Sequence, residues 1–466
     1  VTGALVAVAI GFNYFVGFYY GLVNLTYTAL LTVAFFSILR HIRRIRYSSR
    51  HEIGLSPETP PVSVLMAAYN EEAEIADTVK AALALNYPFF DVVVINDGST
   101  DGTLSALVEA FGLRKIDLVY RDVIKTRDVR GFYYNPDYPA LLVIDKERGG
   151  KPDALNCGIN VCRSPYFCSV DADSVLERDA LLRLIAPVLE STVPVVACGG
   201  VVRAVNGSVI SDGFVQEIKL PRSSLALFQI VEYLRAFLFG RVGLDALNAI
   251  LILSGAFSLF RKDAVVEVGG YAQDNVSEDM ELVVRLHKHF RGKGLPYAIK
   301  FISDPICWTE VPESLGMLGR QRRRWHLGLM QSLMQHKTLL LNPRYGRLGL
   351  LVVPYYFIIE MLSPVVEVLG YLVVVVSYLL GLISEEFFLL FLTLAVFYGI
   401  FLSTAGVFLE ELTYRRYPRW GHMFKLLAYG VLENFGFRQI NSFWRVQAVV
   451  NYLLGKRHWE YVRRKA

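Results

Sequence analysis

The sequence predicts an α/β domain built on a mostly parallel sheet and flanked by membrane-crossing and interfacial helices; three observations carry that prediction. The composition is too apolar for an ordinary soluble enzyme, with 53% of the 466 residues hydrophobic and 20% charged, and a mean hydropathy of +0.37. Lipid-facing helices added to a soluble domain explain the excess. The excess sits in blocks towards both ends of the chain. Between them, short apolar runs alternate with helical patterns, which is the signature of repeated βαβ units. Disorder and collagen are excluded by the same composition. A disulfide scaffold is excluded by the cysteines: Cys157, Cys162, Cys168, Cys198 and Cys307 are few, lack zinc-type pairing and are expected as reduced thiols.

Residues 1–50 are expected to hold an N-terminal transmembrane helix and its basic flank. Residues 1–39 carry no charged side chain, and a helix at about 14–39 is long enough to span a bilayer. A signal peptide would carry its basic segment in front; here Arg40, His41, Arg43, Arg44, Arg46 and Arg50 follow the apolar run. The start at Val1 in place of Met is read as a sign of missing upstream sequence, which leaves room for a further helix. Basic flanks mark the cytoplasmic end of a spanning helix, so residues 51–312 are expected as a cytoplasmic domain.

Residues 313–346 read as an amphipathic interface helix and 347–413 as a transmembrane hairpin. Its arms, about 348–383 and 387–411, are joined by Ser384, Glu385 and Glu386, and Pro354 and Pro364 should kink the first. The return end meets Arg415, Arg416 and Arg419, again the cytoplasmic sign. Residues 414–466 are expected to form re-entrant or interfacial helices and a basic tail of Lys456, Arg457, Arg463, Arg464 and Lys465. Glu433, Asn434, Arg438, Gln439, Arg445 and Gln447 make 422–455 too polar for easy insertion. The basic residues cluster beside membrane segments, which points to membrane lipids as partners and away from nucleic acid.

Within the central block, strands are expected at Val62–Ala68, Asp91–Ile95, Ile116–Tyr120 and Tyr166–Val170, with helices opening near Glu71 and Asp101. Ligands of such sheets lie at the carboxyl ends of the strands, and the polar clusters fall there. The first strand runs into Tyr69, Asn70 and Glu71; the second runs into Asn96, Asp97, Gly98, Ser99, Thr100 and Asp101. Each could be a turn with a helix cap, and Asp101 reads best as such a cap. Together they put carboxylates and backbone amides where a nucleotide could lie, with Asp97 the stronger candidate. Gly149, Gly150 and Lys151 follow, then Asp171, Ala172 and Asp173 at the end of the fourth strand. Alternate residues leaving a strand project the same way, so the two carboxylates can hold a hard divalent cation on a diphosphate. Lys151 adds a point charge for the same phosphates.

Ser277, Glu278 and Asp279 open a helical pattern. They read either as an acidic first turn on the helix dipole or as a site in which Asp279 is a general base. In Gln321-Arg322-Arg323-Arg324-Trp325, offsets of three and four place Gln321, Arg324 and Trp325 on one helical face. There an amide, a guanidinium and an aromatic platform can meet one ligand. Leu315, Leu318, Leu329 and Leu333 would add apolar area lying on the membrane surface. His326 is expected to serve packing or surface.

The ordered set YNE (69–71), NDGSTDGT (96–103), GGKPDALNCG (149–158), DAD (171–173), SED (277–279) and QRRRW (321–325) resembles the membrane-embedded family 2 glycosyltransferases, the inverting, processive-type synthases of cellulose, chitin, hyaluronan and poly-N-acetylglucosamine. The resemblance implies a GT-A domain, Rossmann-like, and a nucleotide-sugar donor, with Mg²⁺ or Mn²⁺ as cofactor. Tyr69, Glu71 and Asp97 would contact the nucleoside; Lys151, Asp171 and Arg324 would contact the diphosphate. Asp173 would bind the metal, Asp279 would deprotonate the acceptor, and Glu278, Gln321 and Trp325 would hold it. The acceptor stays open between a growing glycan and a membrane lipid that receives one sugar, because single-transfer lipid glycosyltransferases look similar. Asn96 stands where many members have Asp, and Ser277 where many have Thr.

Overall fold

The computed structural model describes residues 2–47, 56–414, 416–417 and 419–456. Arg50, Arg415 and the tail from Arg457 onward lie outside the described residues. The chain divides into two compact units, residues 38–221 with 244–311 and residues 1–37 with 222–243 and 312–466.

The first unit is α/β. Its strands are β1 (Val62–Ala68), β2 (Phe90–Asp97), β3 (Arg114–Ile116), β4 (Val129–Tyr134), β5 (Leu141–Lys146), β6 (Tyr166–Asp171), β7 (Val175–Leu176) and β8 (Val195–Ala204). A hairpin of β9 (Val209–Ser211) and β10 (Phe214–Glu217) stands apart, and β11 (Phe257–Arg261) and β12 (Ala298–Thr309) complete the main sheet. The sheet order is β3-β4-β5-β2-β1-β6-β11-β8-β12-β7. Strands β5, β2, β1 and β6 pair in parallel, as do β8 and β12, while β4, β11 and β7 run against their neighbours. The sheet is therefore a mixed α/β sheet with a parallel heart. The middle of each core strand is largely apolar, since both faces are covered: Val62, Val64, Leu65, Val92, Val94, Val143 and Phe167 are buried.

One expected strand is displaced. The edge strand is Arg114–Ile116, and residues 117–120 leave the sheet. The ring of Tyr120 packs edge-on against Phe132, 5.5 Å between centroids, so its apolar character serves packing and not a ladder.

The other unit is helical. The first helix runs unbroken from Thr2 to Tyr47, well beyond the expected 14–39. Two helical stretches, Gly3–His41 and Glu385–Thr413, are long and apolar enough to cross a membrane. A third passes the same test as a bent pair, Leu348–Met361 with Ser363–Leu379, at 43° to one another. The break falls at Leu362, just before Pro364, which lacks the amide needed to continue the first helix.

Residues 222–243, expected within the cytoplasmic domain, group instead with the helices. Phe228 stacks on Phe437 at 4.7 Å, Gln229 Nε2 donates to Pro312 O at 2.7 Å and Ser224 Oγ bonds Tyr429 Oη at 2.8 Å. The polar stretch 422–455 forms two helices, Trp420–Leu432 and Phe437–Leu453. Its polar residues are spent on internal partners. Glu433 accepts from Arg235 at 2.5 Å and from Ser403, Arg445 donates to Glu360 O at 2.6 Å, and Gln447 accepts from Arg323 at 3.0 Å. A buried charge in such surroundings requires a partner, and these supply one.

Candidate active site

Strand register brings the polar clusters to one edge of the sheet. Ala68 lies beside Asn96, Ala67 beside Asp171, Asn96 beside Asp145 and Asp97 beside Lys146, so the loops after β1, β2, β5 and β6 leave together.

The first two loops interlock. Asn70 adopts a positive φ of 58°, which Asn tolerates better than most residues. Its amide donates to Ser99 Oγ at 3.0 Å while its Oδ1 accepts from Thr100 N at 2.8 Å. Glu71 N donates to Thr103 Oγ1 at 2.9 Å, and Glu72 Oε2 accepts from Gly102 N at 2.9 Å. The following helices begin at Ile75 and Thr103, later than expected, because these turns take up the intervening residues. Asp101 precedes the cap position, held by Gly102, and accepts from Thr103 N at 3.0 Å. Slight burial pushes its carboxyl up, but the hydrogen bonds from Thr103 and Glu72 outweigh it and hold it below the usual range.

Asp97 is 3% exposed and both its oxygens are engaged. Lys146 Nζ and Gly149 N donate to Oδ1 at 3.0 and 2.9 Å, and Gly150 N donates to Oδ2 at 2.7 Å. Lys146, fully buried, also bridges to Asp153 at 2.5 Å. Asp97 thus holds the Gly149-Gly150 loop in shape. Gly98, at φ 65°, permits the close approach: a Cβ there would lie 2.7 Å from Arg148 N. Arg148 in turn lies over the ring of Tyr69, 4.0 Å from its centroid.

The most charged part of the site is assembled around Lys151, the first residue of the helix Lys151–Val161. Its Nζ donates to Asp171 Oδ1 at 2.5 Å and to Gly255 O at 3.2 Å, and lies 3.5 Å from Glu278 Oε1. Burial alone would lower the Lys151 pKa; Asp171, Glu278 and Asp279 outweigh it and raise it, so the ammonium is firmly charged. Gly255 N donates to Asp279 Oδ2 at 2.8 Å, and Met280 N to Asp279 Oδ1 at 2.8 Å. Asp279 therefore ties the first turn of its helix to a segment distant in sequence. Lys151, Glu278 and Asp279 line one small pocket with Ser169, Ser254, Gly255 and Tyr271.

Sequence reading missed the Ser254–Gly255 turn, whose backbone joins Lys151 to Asp279, and the Lys146–Asp153 pair. A glycine at the end of the apolar run 249–253 was the available signal for the first; a Cβ at Gly255 would lie 3.0 Å from Asp279 Oδ2.

Asp171 and Asp173 are half-exposed while Ala172 between them is buried. Among the described residues no group of three or more His, Cys, Asp or Glu converges as a metal cage. A hard cation that takes one or two carboxylates and completes its shell with water and phosphate fits this sparse oxygen set.

In the helical unit, QRRRW lies on the helix Leu315–Gln335, and its members sort by burial. Arg322 is buried against Glu232, 2.7 Å away, and Arg323 donates to Gln447 at 3.0 Å. Arg324 and Trp325 are exposed, and Gln321 is half-buried, its Oε1 without a hydrogen-bond partner among the described residues. Of the three expected to meet a ligand, Arg324 and Trp325 are exposed, while Gln321 is no more open than Arg323. His326 is buried beside Arg445, as a packing residue. The leucines differ from expectation: Leu315 is exposed, but Leu318, Leu329 and Leu333 are buried. The helix packs closely on Phe437–Leu453, with Gly319 against the ring of Trp444, so those leucines cannot lie on a membrane surface.

Residues 63–269 match the profile of glycosyl transferase family 2. The chain is 32% identical over 289 residues to the poly-beta-1,6-N-acetyl-D-glucosamine synthase of Staphylococcus aureus strain COL, covering 61% of this chain and 59% of that protein. The synthase of the same name from Staphylococcus epidermidis is 30% identical over 267 residues, covering 57% and 54%. Each alignment spans little more than half of the relative's length. Among solved structures, a mannosyltransferase from Pyrobaculum calidifontis in complex with GDP-Man and Mn²⁺ aligns with a TM-score of 0.48 and 18% identity, over 89% of this chain and 99% of that one.

Proposed function

From the glycosyl transferase family 2 domain that residues 63–269 form, we infer that this chain uses a UDP-sugar to elongate a β-linked glycan with inversion at the anomeric carbon. Similarity to the staphylococcal synthases favours an N-acetylglucosamine polymer over a lipid that receives one sugar. The observation that carries the reading is the linked set Lys151, Asp171, Glu278 and Asp279, which places a firmly charged ammonium beside an oriented carboxylate.

Asp279, held by two backbone amides, accepts the proton of the acceptor hydroxyl. The freed oxygen then attacks the anomeric carbon from the face opposite the diphosphate, whose bond to the sugar breaks. Lys151 and Arg324 offset the charge that develops on the leaving diphosphate. Tyr69 and Glu71 flank the nucleoside, and Asp97 shapes the loop beneath it. Mg²⁺ or Mn²⁺ would be held by Asp173 with Asp171, and when bound would supply further positive charge to the diphosphate. Glu278, Gln321 and Trp325 hold the acceptor, with the indole as a stacking surface.

A panel of radiolabelled UDP and GDP sugars given to the purified full chain tests the reading. Transfer from one UDP-sugar into saccharide product is expected; no transfer from any donor contradicts it. The basic flanks favour an orientation with the α/β domain in the cytoplasm and the Ser384–Glu386 turn outside, and with it passage of the glycan across the membrane. A cysteine introduced by Ser384→Cys should then react with an impermeant thiol reagent on intact cells, and one introduced by Ser48→Cys should not. The reverse pattern inverts the orientation.

A further inference from the structure

We propose that Glu232 is a positioning residue for the acceptor, acting through Arg322 to fix the ring of Trp325. The inference rests on the reading of Trp325 as the platform under the acceptor sugar. Arg322 is 5% exposed, whereas Trp325 on the same helix is 38% exposed. The guanidinium carbon of Arg322 lies 4.5 Å from the centroid of the Trp325 ring, and its NH2 donates to Glu232 Oε2 at 2.7 Å. Glu232 belongs to the helix Ser224–Arg235, 90 residues upstream of Arg322.

An arginine can steady an aromatic ring only if its own long side chain is held. A planar guanidinium stacked on one face of an indole restrains the ring and leaves the other face for a ligand. Here the charge-assisted hydrogen bond from Arg322 to Glu232 is the tether. The helix that carries Glu232 is registered against the start of the QRRRW helix by a second bond one turn earlier, from Gln229 Nε2 to Pro312 O at 2.7 Å. Glu232 therefore contributes a fixed point, and Arg322 transmits it to the indole. Within QRRRW this separates the roles of the arginines: Arg324 is exposed towards ligand, and Arg322 is an internal support.

The test uses the purified full chain in lipid nanodiscs, with UDP-N-acetylglucosamine as donor and a short β-1,6-linked N-acetylglucosamine oligomer as acceptor. Glu232→Gln should raise the acceptor KM by about three- to thirty-fold, the range of a cation–π contact expressed as an equilibrium constant, and raise the donor KM less. The exchanged pair Glu232→Arg with Arg322→Glu keeps an ion pair between the helices but takes the guanidinium off the ring. Its acceptor KM should stay raised while its thermal unfolding midpoint returns towards that of the wild type. An exchanged pair with the wild-type acceptor KM overturns the proposal, because the ion pair is then a staple and nothing more. Unchanged acceptor KM in Glu232→Gln, with a raised value in Trp325→Ala, also overturns it and leaves the platform reading standing. If Trp325→Ala itself leaves the acceptor KM unchanged, the platform reading falls and the proposal with it. Where Glu232→Gln does not fold, the exchanged pair decides alone.

Discussion

The two units handle buried charge differently. In the α/β unit, exposure rises along one short loop: Lys146, paired with Asp97 and Asp153, is fully buried, whereas the side chains of Lys151 and Asp171 are 33% and 34% exposed. In the helical unit the carboxylates of Glu433 and Glu367 are buried among partners of their own, with side chains 2% and 9% exposed. Glu433, Arg235 and Ser403 form one set, and Glu367 with Ser442 and Arg438 another. An ion pair closed on all sides can only support structure, since its members have no capacity left for a ligand. An ion pair open on one side, on a frame of closed ones, can exchange its partner for a phosphate or a hydroxyl. The first unit grades from one kind to the other within six residues, Lys146 to Lys151.

Substitutions on the open side should cost turnover, and those on the closed side should cost stability. The largest effect is expected for Asp279→Asn. It removes the proton acceptor and keeps the shape, so turnover should fall by roughly 10² to 10⁴-fold, the range for loss of a general base, with UDP affinity nearly retained. Single-turnover kinetics and a UDP titration check both halves; turnover within a few-fold of wild type removes Asp279 from the role of base.

Glu433→Ala addresses the closed side. It leaves Arg235 partly buried with its carboxylate partner gone, which should cost about 3–5 kcal/mol, seen as a large fall in the unfolding midpoint of the solubilised protein. If the variant is as stable as wild type, the enclosed pair is not structural and the contrast between the units fails.

A smaller effect sharpens the comparison at the margin of the α/β unit. Burial pushes the Asp245 carboxyl up to about 6, against the lowering influence of Lys300, the hydrogen bond from Phe301 N and His41. Its folded-state value lies above the unfolded one, so the folded protein binds the proton more tightly. Stability is highest while Asp245 is protonated and declines as pH rises from about 4 through 6. Asp245→Asn should therefore gain on the order of 2 kcal/mol above pH 7 and almost nothing near pH 4. Unfolding midpoints at the two pH values make the measurement, and equal shifts at both would show that the burial of charge is not the cause.

The parts of the fold legible in the sequence were those whose polar residues end an apolar run. Tyr69-Asn70-Glu71, Asn96-Asp97-Gly98 and Asp171-Ala172-Asp173 each stand at or just after the end of a core strand, and the parallel register carries all three to one edge. The helical offsets in QRRRW likewise set Trp325 and Arg324, both exposed, apart from the buried Arg322, but not Gln321 from Arg323, which are both half-buried. What was not legible depends on partners far along the chain. Leu318, Leu329 and Leu333 make an apolar stripe that looks the same whether lipid or protein covers it, and all three are buried within the protein. Lys146 and Asp153 read as ordinary polar residues until the fold buries them together. Glu433 and Arg438 made their segment look unfit for apolar surroundings because Arg235 and Glu367, their partners, lie far upstream.

Repeated addition of sugar to a retained glycan, the proposed activity, is read from product length against time. With purified wild-type chain and excess radiolabelled UDP-N-acetylglucosamine, a ladder should appear whose members lengthen while most enzyme remains bound to its first product. A product that stops at one sugar on a lipid, with donor still in excess, would contradict the claim and assign the chain to single transfer.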